Sequence, residues 1–219
     1  MKILIACEES GTVRDAFAAQ GHDAMSCDLL PSRTQGKHYQ GDVREILYND
    51  WDALIAFPPC TYLTVTGNKW MLPAYADRFP TRQQDRIDAI AFFMLFAEAK
   101  HIPLRAIENP VGIMSSVWRK PDQVIHPYYF GDPHSKATCL WLNGFQPLRR
   151  THYDVVPQFV THANGKRDPL WHYETMRLSA PERAKARSKT FSGIARAMAE
   201  QWGNLQPAHK IYQMRFDYA

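Results

Sequence analysis

The sequence predicts an α/β fold built on a mostly parallel, seven-stranded sheet with helices on both faces. Three observations predict it. Short apolar runs of strand length alternate with segments of helical spacing. Turn residues punctuate the boundaries. Side chains capable of chemistry recur just after the apolar runs, where open parallel sheets bind their ligands.

Residues 2–7 (KILIAC) form the first apolar run, the pattern of a strand buried on both faces. Ser10–Gly11–Thr12 then offers a turn and a helix start. Val13, Phe17 and Ala18 keep helical spacing, and Gly21 reads as the stop. A second strand is expected at 23–27, ending at Asp28, and a short third at 38–43. Residues 52–57 give a fourth, broken by Pro58–Pro59. A long loop rich in Thr, Gly, Asn, Trp and Pro is expected over 60–80. Helix follows at 81–99, where TRQQDR opens the apolar IDAIAFFMLFAEA. The next strand is 104–107, ending at Glu108. A short helix is expected at 111–117, with the last two strands at 124–130 and 138–142. Residues 144–187 break the rhythm, being rich in Arg, His, Tyr, Trp and Pro, and a final helix is expected at 192–202.

The 219 residues suit one domain with a modest insertion. Residues 1–143 and 188–205 form the expected catalytic body, 144–187 the insertion and 206–219 a tail. Lys and Arg exceed Asp and Glu by 26 to 22, a net charge of +4 that permits a phosphate-bearing partner without requiring one. The four cysteines lie far apart with no CxxC pair, which argues against a zinc site or disulfide framework. No metal is expected, and a reduced cytoplasmic compartment is. The short apolar run at the start lacks the length of a signal peptide, and no run approaches a membrane span. The expectation is a soluble protein with no membrane partner.

Phe57-Pro-Pro-Cys60 carries the sharpest chemistry. Two prolines end the strand and hold Cys60 at the mouth of a loop, accessible as a thiolate nucleophile. A buried structural thiol is the bland alternative, since free cysteine is usually buried. Glu108-Asn-Pro ends the following strand, so parallel topology brings this carboxylate beside the Cys60 loop. A partly desolvated Glu holds its proton and can donate it to a substrate nitrogen; the alternative is a cap for the next helix. Asp28 and Asp42 follow apolar strand residues, where an acid commonly holds ribose hydroxyls, or else serves as a turn residue. The first turn, Cys7-Glu8-Glu9-Ser10-Gly11, lacks the dinucleotide fingerprint. Its two acids oppose a pyrophosphate there but not a cationic sulfonium.

The series ILIACEESG, SCD, GDVR, FPPCT, IENPVG, FGDPHSKATCLWL and SKTFSGIARAMAEQWG resembles the motif order of the cytosine-C5 DNA methyltransferases, especially their short phage and prophage members. The resemblance spans about residues 2–203. It implies a Rossmann-like class I methyltransferase fold and S-adenosyl-L-methionine as cofactor. It makes Cys60 the nucleophile that adds to cytosine C6 and Glu108 the group that holds and protonates N3. Cofactor contacts would come from Cys7, Glu8, Gly11, Asp28, Asp42 and Pro58, with Asp42 near the adenine amino group and Asp28 at the ribose. Substrate contacts would come from Pro59, Asn109, His134 and Lys136. The chain departs from the family in three places. Only Gly11 remains of the Gly-rich first turn. Pro133-His-Ser-Lys136 replaces the Gln-x-Arg-x-Arg motif, leaving His134 or Lys136 to substitute. The target-recognition region shrinks to about 44 residues.

That short region holds Arg149, Arg150, Lys166, Arg167, Trp171, Tyr173, Arg177, Arg183, Lys185 and Arg187, cations for phosphates and aromatics for unpaired bases. The alternative is a solvated basic face over packing aromatics. DNA containing cytosine is the expected partner, its base flipped out to reach Cys60, with the 61–80 loop and Trp70 closing over it. A free cytidine nucleotide methylated by the same chemistry is the alternative substrate. A non-catalytic cofactor- or DNA-binding decoy is the second alternative. Exocyclic-amine methylation fits Phe57 and Cys60 poorly.

Overall fold

A computed structural model describes residues 1–205; the expected tail at 206–219 lies outside the described residues. Seven strands form one sheet in the order β3-β2-β1-β4-β5-β7-β6. They are β1 (Lys2–Ala6), β2 (Asp23–Asp28), β3 (His38–Gln40), β4 (Ala53–Ala56), β5 (Leu104–Pro110), β6 (Gln123–Ile125) and β7 (Thr138–Asn143). All are parallel except β7, which runs antiparallel to both β5 and β6. This is the mostly parallel, seven-stranded α/β sheet that the sequence predicts.

Alternation along β1 feeds two cores. Ile3 and Ile5 join Val13 and Phe17 of α1 (Thr12–Ala19) and Ile194, Met198 and Trp202 of α6 (Ser192–Trp202) on one face. Leu4 and Ala6 join Phe93 and Phe96 of α2 (Arg82–Ala97) and Trp141 of β7 on the other. A central strand covered on both faces must be apolar throughout, which is why β1 and β4 read as unbroken hydrophobic runs.

Strand order reverses between β1 and β4, so the carboxyl ends of these two strands open the crevice where such sheets bind ligands. Cys7 and residues 57–60 stand at that crevice. β1 ends one residue earlier than expected, because Cys7 adopts a left-handed φ of 60°.

Several boundaries differ from expectation. β5 runs to Pro110 rather than stopping at Ile107, because antiparallel β7 stays paired with it as far as Pro110–Thr138. Glu108 therefore sits inside a strand and caps no helix; the short helix α3 (Met114–Val117) has no side-chain cap. β6 stops at Ile125, and Pro127–Phe130 folds instead as a 3-10 turn. The 60–80 segment contains two 3-10 stretches, Val65–Met71 and Pro73–Tyr75. The insertion expected at 144–187 holds a hairpin, β8 (Phe159–Thr161) with β9 (Arg167–Pro169), then α4 (Leu170–Met176) and α5 (Ala180–Ser188), whose last residue lies just beyond it.

Candidate active site

At the carboxyl edge of the sheet, Cys7 borders three cavities formed by the described residues. The first, about 160 Å³, lies between Asp28, Leu29, Asp42, Val43, Pro59 and Phe92. The second, about 40 Å³, is bounded by Glu8, Asp28, Phe57 and Thr190 among others. The third, about 290 Å³, contains Cys60 and Glu108, with Pro58, Pro59, Lys136, Trp171, His172 and Arg187 in its walls.

Cys60 is exposed, whereas Cys7 is partly buried and Cys27 and Cys139 are buried. Its loop is held from below. The Asn109 amide donates to the Pro58 carbonyl oxygen at 2.7 Å, and the Leu63 and Thr64 amides donate to the Cys60 carbonyl at 3.0 and 3.1 Å. Gly112 then presses against Leu63 so closely that an added Cβ would lie 2.1 Å from its carbonyl oxygen.

Burial, together with the nearby Glu108 carboxylate, pushes the Cys60 thiol up, while Lys136 and Arg187 pull it down. Glu108 is itself pushed above the ordinary carboxylate range by burial, with Lys136 opposing. Desolvation thus favours the neutral form of both groups, while Lys136 favours the ionised form of each and Arg187 that of Cys60. Lys136 Nζ donates to the Arg187 carbonyl at 3.4 Å and lies 5.7 Å from the Trp171 ring centre. The Arg187 side chain donates from Nε to Thr175 Oγ1 at 3.0 Å.

Other predicted residues divide by position. Glu8 borders the second cavity, but its carboxylate is committed. It accepts from the amides of Val13 (2.6 Å) and Arg14 (3.2 Å), satisfying the first turn of α1. Burial raises its pKa, and those same amide bonds oppose the rise. Gly11 precedes α1 at φ 72° and lines none of the three cavities; a Cβ there would lie 2.2 Å from Thr34 Oγ1. Asp28 borders the first two cavities and accepts from the Leu30 amide. Asp42 borders the first and accepts from the Arg44 amide, which holds its carboxyl below the usual range. Lys136 reaches the Cys60 cavity. His134 does not line it and packs against Phe191 at 5.3 Å between ring centres. Asn109, nearly fully buried, supports the loop from behind and is no part of the wall.

Phe92 of the first cavity and Thr64, Thr66 and His172 of the third carry no mark of a site in the sequence. Phe92 reads as one more apolar residue of α2. His172 gave no signal, because its place depends on how the 144–187 segment folds back over the sheet edge. Among the described residues, no three His, Cys, Asp or Glu side chains gather to hold a metal, and no helix is long and apolar enough to cross a membrane.

No family model matches the chain, and no curated protein matches it. Among solved structures, a triple mutant of DNMT2 from Spodoptera frugiperda matches with 13% identity and a TM-score of 0.38, over 70% of this chain. The match covers 53% of that structure's chain, so this protein spans about half its length.

Proposed function

We propose that the protein transfers a methyl group from S-adenosyl-L-methionine to C5 of cytosine in DNA through a covalent adduct between Cys60 and C6. The observation that carries this reading is a single cavity containing Cys60 and Glu108, bordered by Cys7, which also borders an acid-lined cleft.

The cleft suits the cofactor's adenosine. Leu29, Val43 and Phe92 supply apolar walls for a flat base, while Asp28 and Asp42 supply acceptors for hydroxyl and amino hydrogens. Phosphate-binding features are lacking at the first turn, where Glu8 already occupies the amides that open α1. When bound, the cofactor supplies an electrophilic methyl group.

Cytosine C5 is a weak nucleophile until the 5,6 double bond is saturated. In the proposed reaction the Cys60 sulfur bonds to C6, and the displaced electron pair flows toward N3 as Glu108 donates its proton there. C5, now part of an enamine, takes the methyl. The methyl's bond to the cofactor's sulfur breaks in that step; water then takes the C5 proton, the Cys60 sulfur leaves as thiolate, and N3 returns its proton to Glu108, which restores the ring. The raised pKa of Glu108 keeps a proton available for N3. Lys136 and Arg187 offset the charge that accumulates on sulfur and on the ring.

Incubation with DNA containing 5-fluorocytosine tests the reading, because fluorine at C5 blocks the elimination. A cofactor-dependent covalent adduct mapped to Cys60, absent in Cys60→Ala, is the expected result. No adduct, or product formed undiminished by Cys60→Ala, overturns it. Mass spectrometry of products from DNA, RNA and dCMP separates polymer from free nucleotide.

A further inference from the structure

At the opposite end of β5 from Glu108, the fold leaves a charge unmatched. Arg105 sits on a strand paired on both sides and is only 9% exposed. Its Nη1 donates to the Ile102 carbonyl, and no carboxylate of the described residues stands within the 4.0 Å of an ion pair. Glu98 acts on it only through space and is itself 3.5 Å from Lys100 Nζ. A guanidinium carries five N–H donors, so most of this one's capacity is unspent in surroundings that penalise an uncompensated charge.

The same guanidinium borders a cavity of about 120 Å³. Asn143, directly opposite Arg105 across the β5–β7 ladder, borders it too and is exposed. Cross-strand partners of this kind stand about 5 Å apart and project to one face, so both side chains can reach one ion. Trp118 and Trp141 form the walls; the Trp141 indole nitrogen is already committed to the Arg119 carbonyl at 2.9 Å. Arg119 closes one side, its charge offset by Asp122 at 2.8 Å.

We propose that this cleft is an anion site that takes one carboxylate, or a small oxyanion of the same chemistry, onto Arg105 and Asn143 beside the two indoles. The ligand supplies the countercharge that the fold withholds, and a planar carboxylate matches the fork of a guanidinium. The site stands independently of the Cys60 cavity and of the methyl-transfer reading.

Tryptophan fluorescence and thermal denaturation test it, with acetate, benzoate or phosphate replacing chloride at constant ionic strength. A saturable fluorescence change and a Tm rise of several degrees are expected, because a ligand that binds only the folded state stabilises it. Asn143→Ala weakens binding about fivefold or more, Arg105→Met abolishes it, and Arg187→Gln, which removes a cation from the Cys60 cavity, leaves it intact. Saturation by the carboxylates at lower concentration than by phosphate identifies a carboxylate ligand, and the reverse order a phosphate. A response equal to that of chloride overturns the proposal, as does one that survives Arg105→Met or is lost in Arg187→Gln. Should Arg105→Met fail to fold, unchanged affinity in Asn143→Ala overturns it.

Discussion

Gly112→Ala is the most telling perturbation of the candidate site, because Gly112 touches neither Cys60 nor the cavity that holds it. A methyl group at this position would begin 2.1 Å from the Leu63 carbonyl oxygen and 2.9 Å from its carbonyl carbon. Ordinary contact starts at 3.4 Å, so Leu63 must retreat by about 1.3 Å, the difference between 3.4 and 2.1 Å. Leu63 is fully buried and cannot swing aside, and the Ile113 amide donates to that same carbonyl at 2.8 Å. The retreat therefore passes up the turn to Cys60, whose carbonyl accepts from Leu63 and Thr64. Misplacing a reacting group by about 1 Å costs on the order of 100-fold in rate, and overpacking costs about 1–3 kcal/mol of stability. Two assays read this out. Single-turnover methyl transfer should fall by one to two orders of magnitude with cofactor affinity unchanged. Alkylation of Cys60, the one exposed cysteine of four, should change its rate in parallel. A variant that folds and alkylates like the parent, with turnover within threefold, refutes the idea that Gly112 sets the position of Cys60.

Glu108→Gln removes the charge that helps hold the Cys60 thiol up, so the pH midpoint of Cys60 alkylation should move downward while methyl transfer is lost. The same variant bears on stability. The folded protein keeps the Glu108 proton to higher pH than the unfolded chain does, so stability falls as pH rises through the folded-state value. Glutamine removes that loss, and melting above neutrality should rise by about 2–4 °C for each kcal/mol recovered. Asn109→Ala deletes the bond to the Pro58 carbonyl and leaves that oxygen unpaired, costing about 1–3 kcal/mol by denaturant titration. Asn109→Asp should be worse, since it sets a carboxylate against a carbonyl. Asp42→Ala should weaken S-adenosylmethionine binding in calorimetry about tenfold or more and lower stability by about 1 kcal/mol through the lost cap on Arg44.

The sheet and the residues along its carboxyl edge are legible in the amino-acid pattern alone. Short apolar runs at β1 and β4 suit central strands, and the prolines after Phe57 end the second, so Cys60 is legible as a group at a strand mouth. Asp28, Asp42 and Glu108 were legible on the same ground, since parallel strands put their carboxyl ends along one edge. The limits of that reading are physical. β5 outran its apolar pattern because β7, distant in sequence, went on pairing with it, and ladder bonds rather than hydrophobicity set its end. Glu8 and Gly11 looked like cofactor contacts, but their geometry answers to the needs of α1, whose first amides require an acceptor and whose entry requires a left-handed turn. Only the tertiary structure brought Trp171, His172 and Arg187 over Cys60. Nothing local places a segment more than a hundred residues downstream; its docking is decided by which surfaces remain uncovered once the sheet has formed.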